Sequence, residues 1–283
     1  MSGDLEYDNL HTCHPSGIQT GMIRLMEKIS FYYRTANTYS SPVREQDFLL
    51  RCIPQNLPEQ EILDLSLYID PLPTGGNYGK DSFGNTTYTG RLPEEHTFFS
   101  YWVKGTAVRD DDRRIECEPL PIFSYPSILT GPSSMLQAIY DLAPKSEDAL
   151  EQADYFRETV YHHMTYVAGV TNVHTTANQA ALGGQGVCQD FTHIFLALCR
   201  MKRIPARYVS GLPVGEGASH AWAEVWYKGR WYGIDATRNC RAGERYIKFG
   251  TGRDFIDCPM EQGVFWGWCN QSQTVYSKVD VIS

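Results

Sequence analysis

The sequence predicts an α+β protein, with an N-terminal antiparallel β-sandwich or barrel followed by a papain-like α+β core. Between about residue 22 and residue 120, short apolar segments rich in Ile, Val, Tyr, Phe and Thr alternate with turn residues, which is typical of antiparallel strands. From residue 133 onward, helical periodicity appears first and strand patterns follow. A chain of 283 residues is long enough for two domains.

The N-terminal half is predicted to consist of strands, in the segments MIRLMEKISFYYR, DFLLRCIP, EILDLSLYID, GNTTYTGRL, TFFSYWVKGTAV and RRIECEPLP. The stretches PTGGNYG, DSFGN and RDDDR predict turns between them. The proline-rich stretch EPLPIFSYPSILTGPSS marks a change in composition, so a domain boundary is expected near residues 120 to 131. We therefore expect an N-terminal β-domain over residues 1–125 and a second domain over residues 126–283.

Helices are predicted next along the chain. Ser133 or Ser134 is expected to cap a helix over MLQAIYDLA, and Ser146 to open a longer helix that ends at Gly169. The stretch TNVHTTANQAALGGQG is interpreted as a turn. A third helix is predicted over VCQDFTHIFLALCRMKR, where apolar residues recur at helical spacing until Pro205 stops them.

Three strands are predicted after this helix, in ARYVSGLPV, SHAWAEVWY and RWYGIDAT, the last two joined by a hairpin at Lys228-Gly229. A two-residue loop pairs Tyr227 with Arg230, and counting outward then places His220, Trp222 and Asp235 on one face of the sheet. A three-residue loop with a bulge would instead send Asp235 to the opposite face. The predicted contact between His220 and Asp235 therefore depends on the register.

Composition narrows the classes of function. The net charge is −8 and the basic residues are scattered, which argues against nucleic-acid binding. No apolar run is long enough to cross a bilayer and no export signal is evident, so we expect a cytoplasmic protein without a membrane partner. The 8 cysteines show no tight disulfide framework and no CxxC pair, so reduced thiols and no metal site are expected.

Cys188 is the candidate nucleophile. It follows the glycine-rich loop GGQGV and opens a predicted helix, whose unpaired N–H groups and dipole favour a thiolate. Cys199 lies in the middle of the same helix among apolar residues and is expected to be core. A catalytic thiol also needs a base and a group that orients the base, and His220 and Asp235 are the candidates for these roles.

An acyl-transfer site also stabilises an oxyanion. The main-chain N–H of Cys188 is the first candidate donor, and the side chain of Gln185 or Gln179 is the second. Gln185 fits a purely structural role in the loop equally well. Trp222 is a candidate wall of the substrate cleft, although an aromatic residue at such a position is more often part of the core.

The segments GGQGVCQDFTHIFLALCRMKRIPARYVSG and SHAWAEVWYKGRWYGIDATRN resemble the core of bacterial transglutaminase-like proteins, a family often grouped with cysteine proteases. The tail GRDFIDCPMEQGVFWG resembles the closing segment of that family, and the N-terminal strands resemble its preceding β-domain. The resemblance implies a papain-like core in which Cys188 is the nucleophile, His220 the base and then the acid, and Asp235 the orienting group. It implies no metal or cofactor.

Two classes of function remain open. In the first, Cys188 forms a thioester with a peptide or amide carbonyl, and water or an amine then resolves it, so the partner is a peptide or protein substrate with or without an amine co-substrate. In the second, the fold serves as a catalytically silent binding or assembly module, against which the intact Cys, His and Asp set argues. The sequence does not indicate the substrate, the choice between hydrolysis and transamidation, or the oligomeric state.

Overall fold

The computed structural model describes residues 27–112 and 118–282. The predicted segment before residue 27 and the first five residues of RRIECEPLP lie outside these ranges. An eight-stranded antiparallel sheet is built around the long strand β1 (Lys28–Leu50). The other seven strands are β2 (Gln60–Asp70), β3 (Thr74–Lys80), β4 (Thr86–Leu92), β5 (His96–Arg109), β9 (Gly215–Gly217), β13 (Glu261–Trp266) and β14 (Gln271–Ile282).

Strand β1 belongs to two parts of this sheet. Its first half pairs with β5 and β14, and its second half pairs with β4 and β13. Alternate residues along the first half, among them Ile29, Phe31 and Tyr33, are buried, as expected for a strand with one face on a core. The sheet curls around that core, which confirms the predicted antiparallel β-region.

The C-terminal strands return to the N-terminal sheet. Strands β13 and β14, at residues 261–282, both pair with β1. Backbone pairing between residues more than 200 positions apart leaves no local pattern in the sequence. The division into residues 1–125 and 126–283 stays a prediction.

Among the described residues, four α-helices contribute to the second core: α1 (Ser134–Leu142), α2 (Ala149–His163), α3 (Ala177–Gly183) and α4 (Cys188–Met201). Ser133 caps α1, one of the two predicted alternatives. Helix α2 begins at Ala149, three residues after Ser146, with Asp148 rather than Ser146 as its cap, and it ends at His163 rather than at Gly169. Helix α3 was interpreted as a turn; a Thr176 capping box stabilises it despite its short length.

A second antiparallel sheet packs against α4. Its strand order is β11-β10-β8-β12, from β8 (Ala206–Pro213), β10 (His220–Tyr227), β11 (Arg230–Ile234) and β12 (Tyr246–Gly252). Every residue of α4 from Asp190 to Arg200 is buried, because helices cover one side of α4 and this sheet covers the other. The layers of helix and antiparallel sheet confirm the predicted α+β core.

The two sheets meet through buried polar groups. The Lys248 ammonium on β12 contacts the carboxylates of Glu59 and Glu224, and Arg207 pairs with Glu224 from the neighbouring strand. The Gln60 amide bonds both the N–H and the C=O of Lys248. Each charge is thus matched where it is removed from water, which holds β12 in a fixed position.

None of the helices in the described ranges is both long and apolar enough to span a membrane.

Candidate active site

Cys188 is the first residue of α4, and Val187 is the N-cap. The Asp190 carboxylate accepts the N–H of Val187 at 2.8 Å and the hydroxyl of Thr171 at 2.6 Å. Burial raises the pKa of this carboxyl group, although those two donors work in the opposite direction. The contacts fix the first turn of the helix and hold the half-buried Cys188 thiol at its positive end.

The approach to this turn requires a glycine at position 186. Gly186 ends the short strand β7 (Gln185–Gly186), which pairs with β6 (Thr165–Tyr166). A Cβ atom at residue 186 would lie 2.5 Å from Oδ2 of Asp190, closer than atoms of a folded protein tolerate. The absence of a side chain here lets the loop pass over the helix cap.

The structure brings His220 and Asp235 into contact. Nε2 of His220 lies 2.7 Å from Oδ2 of Asp235. The hairpin has the two-residue loop that the sequence predicted, with Tyr227 opposite Arg230 and Trp226 opposite Trp231, so this register is confirmed. His220 lines the same cavity as the Cys188 thiol, which is close enough to contribute to the pKa of the imidazole.

Asp235 is held by a tight loop that the sequence analysis did not interpret. Its Oδ1 accepts the N–H groups of Thr237 and Arg238 at 3.0 Å and 3.1 Å, and its backbone forms a reciprocal bridge with Cys240. The Tyr246 hydroxyl donates to Oδ2 at 3.0 Å. The carboxylate is fully buried and is oriented by four donors, including the His220 ring, so it has little freedom to turn away from His220.

The electrostatics of the pair favour its charged form. Burial alone would lower the pKa of His220, but the charge and hydrogen bond of Asp235, together with the Cys188 thiol, raise the pKa to about 9. Burial also works against ionisation of Asp235, yet the His220 ring and Arg238 leave its pKa below the usual value. An imidazolium beside a thiol at a helix N-terminus favours the thiolate.

Trp222 does not line the cleft, which corrects the expected substrate contact. Its side chain is 1% exposed and packs with Val209, Ala242 and Tyr246 beneath the site. The indole ring stacks on His220, with 6.4 Å between ring centroids and 23° between ring planes. The prediction that Trp222 lies on the same face of the sheet as His220 is correct. Other residues cover the sheet at Trp222, so its ring packs beneath the imidazole and supports it.

A cavity of about 240 Å³ opens beside the Cys188 thiol. It is lined by Tyr166, Val187, Cys188, Gln189, Tyr208, Ser210, Ser219, His220, Ala221, Phe255, Cys258 and Met260. Strand β8, the start of β10 and the segment before β13 thus meet at the N-terminus of α4. Apart from His220, the lining has no charged side chain, so a neutral group is the better fit.

A larger groove of about 920 Å³ lies on the N-terminal sheet, between β4, β1 and β13. Its lining includes Asp47, Arg91 and Gln262 but no cysteine or histidine. The groove therefore offers no nucleophile with a base, and we place the chemistry in the smaller cavity.

Neither glutamine predicted as an oxyanion donor lines the cavity. The Gln179 carbonyl accepts the N–H of Thr176 in the capping box of α3, so this side chain serves the helix instead. Gln185 is exposed on β7. Gln189, which the sequence analysis passed over, does line the cavity, because it follows Cys188 in the first turn of α4.

The remaining described cysteines differ from Cys188. Cys199 is fully buried in the core, as expected, and burial raises its pKa far above the usual range. Cys52 and Cys258 are also fully buried, Cys240 is buried, and Cys269 is half-buried in the loop between β13 and β14, against the core of the N-terminal sheet. In residues 27–112 and 118–282, no three His, Cys, Asp or Glu side chains are grouped as a metal site requires.

Comparison with known proteins places this site in a family. Residues 137–236 match the transglutaminase-like superfamily model, and residues 29–108 match the bacterial transglutaminase-like N-terminal region. An uncharacterized protein of Mycobacterium tuberculosis is 27% identical, covering 88% of this chain and 91% of its own. An uncharacterized protein of Mycobacterium leprae is 40% identical over 114 residues, which cover 37% of this chain and 40% of the relative.

A solved structure agrees on the fold. A protein from Cytophaga hutchinsonii, described as a "Putative Cysteine Protease", superposes with a TM-score of 0.77, covering 92% of each chain at 24% identity. At that identity the likeness shows the fold alone. The two family matches, over residues 29–108 and 137–236, show that this chain belongs to the transglutaminase-like superfamily and carries its bacterial N-terminal region.

Proposed function

We propose that this protein is a thiol-dependent acyl-transfer enzyme that acts on a peptide or amide bond through a thioester on Cys188. The observation that carries the proposal is the grouping of three side chains at one cavity: a thiol at a helix N-terminus, an imidazole in the same cavity lining, and a carboxylate 2.7 Å from that imidazole. Membership of the superfamily supports thiol-dependent activity at that coarser level.

This arrangement supports a first half-reaction that acylates Cys188. The Cys188 thiolate attacks the carbonyl carbon, a C–S bond forms, and the carbonyl electron pair moves onto oxygen. The main-chain N–H of Cys188, unpaired within the helix, is placed to donate to that oxyanion. When the pair returns, the C–N bond breaks, and the leaving amine takes its proton from the His220 imidazolium.

The second half removes the acyl group. His220, now neutral, accepts a proton from water or from a primary amine as either one attacks the thioester. The C–S bond then breaks, the carbonyl forms again, and Cys188 leaves as the thiolate beside the protonated His220. Water gives hydrolysis and an amine gives transamidation, and both begin from the same intermediate. The neutral cavity accommodates either a peptide backbone or an uncharged amide side chain.

A peptide-library assay with and without a primary amine tests the proposal. We expect hydrolysed or amine-coupled products from the wild-type protein and none from Cys188→Ala. Cys269→Ala is the matched control, because it removes a half-buried thiol that lies away from the cavity, and it should retain activity. If no product forms with any peptide and Cys188 is not acylated, the alternative of a catalytically silent binding module is favoured.

The same chain is expected to act in the cytoplasm, as its sequence predicted. Fractionation of the native host, with antibody detection in each compartment, checks this expectation. Recovery from the culture medium or from an envelope fraction would contradict it.

A further inference from the structure

The Tyr208 side chain lies in the wall of the cavity and has no part in the acyl transfer proposed above. It stands on β8, is 2% exposed, and shares the cavity with Cys188. Its ring is packed against His193 and Phe255, with centroids 5.3 Å and 6.4 Å apart. The position of the hydroxyl is therefore fixed by a packed core rather than by a flexible loop.

The Tyr208 hydroxyl has no hydrogen-bond partner among the described residues. It is also absent from the polar atoms that are sealed from solvent without a partner, so it opens onto the cavity. A nearly buried donor without a protein partner is satisfied only by what enters the cavity. A bound ligand that supplies an acceptor would do this.

Other donors in the cavity are less well suited. The Ser210 hydroxyl already points to the carbonyl of Gly250 at 3.5 Å. Gln189 and Ser219 are only half-buried, so water can satisfy them when no ligand is present. A donor stabilises a developing charge most strongly when it is already fixed and shielded from water, and of these groups Tyr208 best meets both conditions.

We propose that the Tyr208 hydroxyl is the side-chain donor of the oxyanion hole and acts together with the main-chain N–H of Cys188. This inference rests on the proposed acyl transfer and deepens it. As the C–S bond forms and the carbonyl electron pair moves onto oxygen, the oxyanion accepts one hydrogen bond from each donor. When the C–N bond breaks, the pair returns and Tyr208 keeps its proton throughout.

Tyr208 also remains a donor over the whole working pH range. Burial, then the neighbouring Cys188 and Cys258, raise the pKa of its phenol well above the usual value. The phenol therefore stays protonated wherever the His220 imidazolium is present.

Acylation by p-nitrophenyl acetate, compared between wild type and Tyr208→Phe, tests this role. The ester reacts through a tetrahedral oxyanion, so the burst of p-nitrophenolate should slow by about 10²- to 10³-fold in the variant. Alkylation of Cys188 by iodoacetamide passes through no oxyanion, and its rate at each pH should stay within about threefold of wild type. The melting temperature should be equal or higher, since an unpartnered hydroxyl is removed.

Tyr101→Phe is the matched control. Its side chain is also a buried tyrosine on a strand, but it lies in the N-terminal sheet away from the cavity, so acylation should not change. The inference is overturned if Tyr208→Phe is acylated within threefold of wild type, or if both reactions slow equally. It is also overturned if Gln189→Leu alone produces the loss. A wild-type protein that the ester does not acylate contradicts the proposed function itself.

Discussion

Replacing Asp235 by Asn should lower the pKa of His220, so that most of its imidazolium loses its proton near neutral pH. At 2.7 Å and an effective dielectric constant of about 20, an ion pair gains about 6 kcal/mol. The pKa of His220 rises from 6.5 to about 9, which corresponds to a net gain of about 3 kcal/mol. The difference between these two energies, about 3 kcal/mol, is the free-energy cost of burying the charged ring.

In Asp235→Asn the burial remains and the attraction is lost. The pKa of His220 should therefore fall to 6.5 or below. At pH 7.5 the protonated fraction of this ring should drop from about 97% to about 10% or less. The asparagine amide also presents a donor to the ring N–H, which disfavours the productive tautomer, so kcat/KM should fall by several orders of magnitude.

Histidine-labelled protein followed by NMR as a function of pH measures this shift directly. The chain has 8 histidines, and the signal of interest is the one that disappears in His220→Ala. Asp141→Asn, on the exposed side of α1, is the control and should leave the titration unchanged. A His220 pKa that stays near 9 in Asp235→Asn would refute the assignment of Asp235 as the source of the shift.

Three further outcomes are expected. Lys248→Met should lower the free energy of unfolding by about 3–5 kcal/mol in urea titrations, because the Glu59 and Glu224 carboxylates stay buried without their cation; an unchanged midpoint would contradict this. Burial opposes ionisation of Glu224, yet neighbouring cations lower its pKa from 4.5 to about 2. The stability that ionised Glu224 contributes should therefore be complete above about pH 4.5 and be lost as the pH falls through about 2. Equal unfolding free energies at pH 5 and pH 2 would argue against this. Gly186→Ala should cut kcat by about 100-fold through displacement of the Asp190 helix cap, with secondary structure retained by circular dichroism; full activity would show that the loop can adapt.

The sequence was sufficient for the central contact of the site. The pattern of HAWAEVWYKGRWYGID favours a two-residue hairpin without excluding a three-residue loop, and the observed two-residue register, with alternation along its strands, then places His220 and Asp235 on one face. Likewise, glycines before an apolar helical run locate Cys188 at a helix start. These features follow from local periodicity and turn chemistry, which a sequence displays directly.

Features that depend on distant segments were missed. Tyr246 reaches Asp235 from β12, a strand whose sequence YIKFGTG carries two glycines and no clear alternation. Strands β13 and β14 join the first sheet only through pairing with β1. The strand register also did not predict that Trp222 is buried, because the residues that cover a face of the sheet are set by packing between distant elements.

The proposed mechanism requires that the sulfur atom of Cys188 takes up the acyl group. Wild-type protein mixed with p-nitrophenyl acetate and quenched in acid should gain one acetyl group, and peptide mapping by mass spectrometry should place it on the peptide that contains Cys188. Cys188→Ala should show no such adduct. Equal acetylation of Cys188 and Cys269, or an adduct that persists in Cys188→Ala, would contradict the claim.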